Sequence, residues 1–303
     1  MSIISWNCRG LGNPRTVRDL CQLVKDKQPQ FLFLMETKLR QFRMQVIRLK
    51  LRYEGMLVVD PIGRSGGLAL LWREAHDLEI QNYSLRHINA IVHTGDPRGS
   101  WKLTCFYGHP DRAQRFESWN LLSFLKRFNP EPWLCIGDFN EIVDQSEKVG
   151  GSIRSEWQME SFRTALDECQ LGDLGYRGSR FTWTNCREVD HFIKERLDRA
   201  TATTSWCAKF PSVDVNILAA RRSDHKPLYV SFLGNGHQRS RRKVFKYEAS
   251  WGADEECADL VKHVWVQPDS GTSPVQSAQH LLQQCQKTLS SGAPQSFAIL
   301  GKF

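Results

Sequence analysis

Long apolar runs are missing from this sequence of 303 residues. The longest, Phe31 to Met35 and Gly67 to Trp72, have the length of a β-strand and fall far short of the ~20 residues that span a bilayer. The opening residues, Met1 to Trp6, carry no basic flank, no extended apolar stretch and no small-residue cleavage site, so no secretory signal is expected. Cysteine occurs nine times but never as a C-x-x-C pair, scattered from Cys8 to Cys285. That pattern argues against a zinc ribbon or a disulfide framework; Cys105 and Cys135 lie inside apolar runs, where a reduced thiol behaves as a small hydrophobe. Repeats and low-complexity tracts are also absent. The glycine-bearing stretch from Gly63 to Gly67 lacks the G-K-[ST] ending of a phosphate-cradling loop and reads as a tight turn. His93 and His191 have no companions at metal-ligand spacing. The expectation is an intracellular protein with reduced thiols and no membrane span.

What is present suits a folded core. Hydrophobic residues make up 41%, aromatics 11% and charged residues only 24%, which excludes a wholly disordered chain. The 41 Lys and Arg exceed the 33 Asp and Glu, giving a formal charge of +8. The excess favours a polyanionic partner, nucleic acid before membrane surface, because the basic residues are not gathered on one amphipathic helix.

Strand and helix signals alternate along the chain. Ile3 to Trp6 reads as a strand; Pro14 and Thr16 open a helix whose Val17, Leu20, Cys21 and Val24 share a face, and Gln28-Pro29 ends it. Phe31 to Met35 is a continuously apolar strand, buried on both faces. Further strands are predicted at Met56–Val59, Gly67–Trp72, Leu78–Tyr83, Ile88–Val92 and Trp101–Tyr107. A helix follows with Phe116, Trp119, Leu122, Leu125 and Phe128 on its apolar side, then a buried strand, Trp133–Gly137. A second long helix fits Ser155–Gln170, and short strands are expected near Phe181–Thr184, Val213–Leu218 and Leu228–Phe232. Strands outnumber helices and run in hairpin-like series. This predicts an α/β layered sandwich, with packed sheets and helices outside, rather than a doubly wound parallel sheet. The polar, basic stretch 234–243 reads as a linker, placing a core domain at 1–233 and a helical extension at 234–303, with helices near 257–265 and 277–289.

Polar residues stand at the ends of several apolar strands. Asn7 follows the first, Glu36 the second and Tyr107 the run from Leu103 to Phe106; Asp138 and Asn140 follow Trp133–Gly137, sharing a face while Phe139 turns into the core. Ser223-Asp224-His225 leads into the last core strand. Strand ends are where open sheets present functional groups. Each residue also has an ordinary reading: Asn7 in a turn, Glu36 in the first turn of a helix, Asp138 as a cap, Tyr107 in the core, His225 as a structural histidine.

Their joint order resembles the endonuclease/exonuclease/phosphatase superfamily, the fold of deoxyribonuclease I and the exonuclease III-type abasic endonucleases. The motifs are Ser5-Trp6-Asn7-Cys8-Arg9-Gly10, Met35-Glu36-Thr37, Phe106-Tyr107-Gly108, Gly137-Asp138-Phe139-Asn140, Arg196-Leu197-Asp198 and Ser223-Asp224-His225. The resemblance is closer to the endonuclease domain of plant LINE-type (non-LTR) retrotransposons, through the first motif, Ser65-Gly66-Gly67-Leu68-Ala69-Leu70-Leu71-Trp72 and Phe106-Tyr107-Gly108-His109-Pro110. It implies a four-layer α/β sandwich and a Mg²⁺-dependent endonuclease that nicks DNA, with Mn²⁺ as a substitute.

By the family's pattern, Glu36 is a magnesium ligand, Asn7 orients the metal or binds the phosphate, and Asp224 holds a metal or supports the site. Asp138 positions and deprotonates the attacking water, and Asn140 and Tyr107 contact the scissile phosphate. His225, oriented by Asp198, meets the developing phosphorane charge. The chemistry agrees: magnesium takes oxygen ligands, and an anionic diester needs a Lewis acid and fixed donors. Arg221 and Arg222 are candidate grips on backbone phosphate, and Trp183 is read as core. Arg9 departs from the abasic endonucleases, whose pattern is usually acidic there, which disfavours a repair enzyme. A lipid or inositol phosphatase is disfavoured by the basic charge, and a catalytically idle DNA-binding remnant by the complete residue set. The tail from Val244 resembles the segment joining endonuclease to reverse transcriptase, and no polymerase motif follows it. A nuclear location is expected.

Overall fold

The pairing of strands brings the apolar runs into two large sheets. A computed structural model describes residues 1–63, 65–74, 78–93, 99–127, 132–186, 192–220 and 222–232, together with Asp259, Lys262, His263, Trp265, Leu281 and Cys285. Contacts divide the chain into two units, Met1–Gly236 and His237–Phe303. In the second unit the six described residues are helical; the remainder of the two expected tail helices, and the expected linker 234–243, lie outside the described residues.

In the first unit, seven strands form one sheet: in spatial order β11 (Arg177–Gly178), β15 (Asp214–Ile217), β16 (Leu228–Ser231), β1 (Ser2–Asn7), β2 (Phe31–Met35), β4 (Leu68–Trp72) and β3 (Gly55–Val59). Six form the other: β10 (Gly172–Asp173), β14 (Asp198–Ala202), β8 (Trp133–Asp138), β7 (Trp101–Tyr107), β6 (His87–Val92) and β5 (Leu78–Ser84). A small third sheet joins β12 (Trp183–Thr184), β13 (Lys194–Glu195) and β9 (Lys148–Val149). Both large sheets are mixed, with β1 parallel to β2 and β7 parallel to β8.

Alternation along each strand builds the layers. Ile3, Phe31, Phe33, Leu68 and Leu70 of the first sheet join Ile88, Leu103, Cys105, Leu134, Ile136 and Ala200 of the second in one buried cluster. The opposite face of the first sheet, through Ile4, Trp6, Leu32, Leu34, Ala69 and Leu71, meets helices α1 (Pro14–Lys27) and α2 (Gln41–Leu51). The opposite face of the second, through Phe106, Trp133 and Cys135, meets α3 (Arg115–Arg127) and α4 (Glu156–Glu168). A short helix, α5 (Thr204–Lys209), puts Trp206 against Trp101, Phe210 and Phe232. The expected four-layer sandwich, helices outside two packed sheets, is the observed fold.

One helix was not predicted, and two local readings need correction. Helix α2 is not legible because apolar residues ring it: Met44, Ile47 and Leu51 face the core, but Phe42, Val46 and Leu49 face solvent and blur the periodicity. Phe116 does not belong to the buried side of α3. It is 52% exposed, because the helix packs through Ser118, Trp119, Leu122 and Leu125. Phe116 instead lines a cleft of about 340 Å³ between α3 and α4, which Trp157 also lines. Phe128 lies outside the described residues. Glu36 does not start a helix, for α2 begins five residues later.

Candidate active site

The inward row of side chains between the sheets ends in polar groups. On β1 the row Ile3, Ser5, Asn7 leads out of the core; on β8 it is Leu134, Ile136, Asp138. Register completes the alignment. Tyr107 is paired with Asp138, and Asp138 with Asp198, so three candidate residues form one row across the second sheet. Asn7 is paired with Met35, which sets Glu36 beside it on the first sheet. His225 precedes β16, next to β1, and a lone bridge ties it to Trp183.

The turns that follow the strands are conformationally specified. Glu36 and Asn140 occupy left-handed backbone, at φ +49° and +56°, and leave the strand direction at once. Before Asp138, Gly137 has φ +155°, and a Cβ there would stand 1.8 Å from the Phe106 carbonyl oxygen, so only glycine lets β8 approach β7 so closely. Phe139 is fully buried against Phe106 and Phe162, as its alternation with Asp138 and Asn140 predicts.

Hydrogen bonds knit the two rows together. The Asn7 amide nitrogen donates to Glu36 Oε1 at 3.1 Å and to Asp138 Oδ2 at 3.0 Å. Tyr107 donates its hydroxyl to the same Glu36 oxygen at 3.1 Å. Asp138 Oδ1 accepts from the Asn140 backbone at 2.9 Å, and the Asn140 side chain donates to the Gly108 carbonyl. His225 Nδ1 lies 2.9 Å from Asp198 Oδ2, while its Nε2 faces Asp138 Oδ2 at 3.7 Å. The Thr182 hydroxyl accepts from the backbone N–H groups of Leu197 and Asp198, fixing that strand end.

Burial and charge set the protonation states. Burial opposes a charge on His225, but Asp198 and Asp138 outweigh it and raise its pKa to about 9. Burial is also the largest influence on Asp138; with Asp198 it outweighs His225 and raises the carboxyl to about 6. Glu36 lies below its ordinary value, because Asn7, Arg9, His225 and Lys38 together overcome the cost of burial. Burial, then Glu36 and Asp138, push the Tyr107 phenol far up, so it stays a donor. Glu36 and Asp138 are therefore ionised acceptors at neutral pH, beside one protonated imidazole.

Of the sequence-predicted residues, Asn7, Glu36, Tyr107, Asp138, Asn140, Asp198 and His225 are tied into this cluster. Asp224 stands at its rim, its Oδ2 taking a hydrogen bond from Trp183 Nε1 at 3.0 Å. Trp183 is thus half core and half site: its ring packs beside Ile142, Met159 and Leu197 while its nitrogen holds Asp224. Arg222 is exposed, and Arg221 lies outside the described residues, so neither is tied into the cluster among the described contacts. Sequence reasoning missed Thr182, Ser223 as a donor to the Asn7 carbonyl, and Lys38, whose Nζ lies 3.7 Å from Glu36 Oε2. Lys38 falls two residues after Glu36, which was the available signal.

Asp138, Asp198 and His225 offer ligand atoms within 4.8 Å of one another. The 2.9 Å contact of His225 with Asp198 is a hydrogen bond that already uses Nδ1 and Oδ2, so the trio is a hydrogen-bonded triad in which only Asp198 Oδ1 is left without a partner. Glu36 and Asp224 carry the oxygen donors that a hard cation takes, and one guanidinium, that of Arg9, lies within ion-pair distance of both. Both offer carboxylate oxygens, and Asp224 Oδ1 is buried without a hydrogen-bond partner.

A layered sandwich whose two sheets open onto buried carboxylates and a protonated histidine defines a hydrolase-like site. The sequence model of the endonuclease/exonuclease/phosphatase family matches residues 4–225, and the chain belongs to that family. Solved structures of the same fold include the 3′ phosphatase NExo from Neisseria bound to product DNA hairpin (TM-score 0.59, 20% identity, 77% of this chain and 99% of that one). The AP endonuclease LMAP from Leishmania major gives 0.60 at 15% identity, over 76% and 86% of the two chains. The endonuclease domain of TRAS1, a telomere-specific non-LTR retrotransposon, gives 0.56 at 15% identity, over 76% and 97%. No curated protein sequence matches. No helix among the described residues is long and apolar enough to cross a membrane.

Proposed function

We propose that this protein is a divalent-metal-dependent endonuclease that nicks duplex DNA, of the kind carried by LINE-type retrotransposons, acting in the nucleus. The observation that carries the reading is the joined cluster itself. Asn7 bonds to both Glu36 and Asp138, and an oriented His225 faces Asp138.

Glu36 and Asp224, oriented on one side by Asn7, would hold Mg²⁺ or Mn²⁺, which supplies Lewis-acid polarisation of a phosphoryl oxygen. The chain's own residues supply the rest. Asp138, with its carboxyl raised toward neutrality, takes the proton of the attacking water. His225 stays protonated through Asp198 and meets charge developing on the phosphorane. Tyr107, paired with Asp138 across β7 and β8, and Asn140, two residues beyond Asp138, are assigned to the scissile phosphate. The net charge of +8 suits a polyanionic substrate. Residues 1–233 are proposed as the nuclease, with the remainder dispensable for nicking.

The test is nicking of supercoiled plasmid by purified protein with Mg²⁺, with Mn²⁺ and with excess chelator. Nicking is expected with either ion and none with chelator, while the circular dichroism stays unchanged. Full activity in chelator overturns the metal dependence. Rapid cleavage of an abasic duplex, with undamaged plasmid left intact, replaces this reading with a repair endonuclease. Binding to duplex without hydrolysis under every condition leaves a catalytically idle DNA-binding protein.

A further inference from the structure

Arg9 stands between the two carboxylates at the edge of the site. Its Nη1 lies 3.6 Å from Glu36 Oε1 and its Nε 3.4 Å from Asp224 Oδ1. These separations are longer than the 2.7–2.9 Å of a tight charge-assisted hydrogen bond. The side chain is 49% exposed, so the pairs are solvent-screened and weakly held. Its backbone, in contrast, is fixed: φ is +53°, and its N–H donates to Asn7 Oδ1 at 3.3 Å. A guanidinium keeps its charge throughout the accessible pH range. Of the groups around Asp224 Oδ1, only this cation approaches to ion-pair distance among the described residues; the other carboxylate oxygen is taken by Trp183.

We propose that Arg9 is an exchangeable internal counter-ion, whose guanidinium neutralises Glu36 and Asp224 until a divalent cation displaces it onto the DNA backbone. The inference rests on the nuclease reading above. Both cations seek the same two carboxylates, so they compete. Arg9 released from them is a free phosphate-binding fork rooted on a rigid strand end. Cation and DNA therefore favour each other's binding, and the coupling is reciprocal. Lys38 is the internal control: it approaches Glu36 Oε2 at 3.7 Å and is not ion-paired with Asp224.

The experiment titrates Mn²⁺ into the full chain without DNA, counting free ion by electron paramagnetic resonance, for wild type, Arg9→Gln, Lys38→Gln and Glu36→Gln. Arg9→Gln is expected to bind Mn²⁺ about tenfold more tightly, within the usual range of coupling between sites, and Lys38→Gln no more than about threefold. A second measurement follows a fluorescent duplex by anisotropy in a His225→Ala background. Mn²⁺ should raise DNA affinity, and adding Arg9→Gln should remove most of that gain. Unchanged Mn²⁺ affinity in Arg9→Gln, an equal gain in Lys38→Gln, or an intact Mn²⁺-driven gain in DNA affinity overturns the exchange while leaving the nuclease reading standing. Mn²⁺ binding indifferent to Glu36→Gln overturns the metal site, and the exchange with it.

Discussion

Charge is buried in two neighbouring regions of the first unit, and they are built on opposite rules. Beside the site lies a network of five basic and four acidic side chains. Arg115 and Arg154 hold Glu141; Arg154 and Lys148 hold Glu195; Arg196 and Arg199 hold Glu147 and Asp173. Each carboxylate there is matched by a guanidinium or an ammonium. In the site, Glu36, Asp138, Asp198 and Asp224 share one buried imidazole and two cations at the rim, and Asp198 Oδ1 and Asp224 Oδ1 are buried without hydrogen-bond partners. The network is contiguous with the site, since Glu141 follows Asn140 and Arg199 follows Asp198. Burial of charge alone therefore does not mark chemistry. In the support every carboxylate is matched and only guanidinium nitrogens of Arg115, Arg154, Arg196 and Arg199 are left over. In the site carboxylate oxygens are left over, and they mark the place where a cation can bind.

The comparison is broken most severely from the site side. Asp138→Asn removes the base assigned to the water, and loss of general base catalysis typically costs ~10²–10⁴-fold in rate. Asn preserves the shape, and the carboxylate it replaces is one that burial already disfavours. The expected outcome is a large loss in kcat with a urea midpoint close to wild type. A wild-type rate removes Asp138 from the chemistry.

The matching break in the network is Glu141→Ala, which leaves Arg115 and Arg154 buried without their shared partner. Removing one member of a buried pair costs ~3–5 kcal/mol, because the remaining charge is uncompensated. Equilibrium unfolding in urea is expected to show that loss. A variant as stable as wild type would mean that the network is balanced without Glu141.

pH sharpens the contrast, because the two regions titrate in opposite senses. Glu147 and Asp173 lie below their ordinary values: Arg199 and Arg196 overcome burial. Their contribution is present above the unfolded values of 4.5 and 3.8 and is lost as pH falls through the folded ones. His225 is the reverse. Raised from 6.5 to about 9, it contributes fully below 6.5 and loses that contribution as pH rises through 9. The stability difference between wild type and Glu147→Gln should therefore shrink in acid, and that between wild type and His225→Gln in alkali. For nicking, kcat/KM should climb through about pH 6 as Asp138 deprotonates and fall above about 9 as His225 loses its proton. Both limbs belong to the coupled pair. A flat profile between pH 5 and 10 contradicts both assignments.

The site was legible in the sequence where the backbone itself announces it. Asn7, Glu36, Tyr107 and Asp138 each interrupt an apolar strand, and a strand end between two packed sheets has few other uses for such residues. The layers were legible for the same reason, since Phe31–Met35 and Trp133–Gly137 are apolar on both faces. The network was not. Arg115, Lys148, Arg154 and Glu195 stand in polar surroundings and read as solvated surface, because their burial arises from pairing between segments about 40 residues or more apart for Lys148, Arg154 and Glu195. Helix α2 was hidden by Phe42, Val46 and Leu49 on its solvent face. The position of Arg9 across Glu36 and Asp224 depends on segments far apart in the chain and has no local signature at all.

The smallest effect tests where site and support meet. Tyr107 donates to Glu36 Oε1 at 3.1 Å, and the Arg86 guanidinium lies 5.3 Å from its ring centre, so the phenol is held in one orientation. Tyr107→Phe keeps the ring and its packing and removes one donor. Glu36 Oε1 still receives Asn7 and faces Arg9, so its charge is not stranded. A net hydrogen bond is worth ~0.5–1.5 kcal/mol, and one to a charged group somewhat more, which sets the expected loss in kcat/KM near tenfold. The metal dependence decides what the hydroxyl does. A hydroxyl that only positions Glu36 acts through metal affinity, so saturating Mn²⁺ restores the rate. A hydroxyl that also contacts the scissile phosphate leaves a deficit at every metal concentration. The deficit is expected to persist, and full rescue by Mn²⁺ would move Tyr107 from the chemistry to the support.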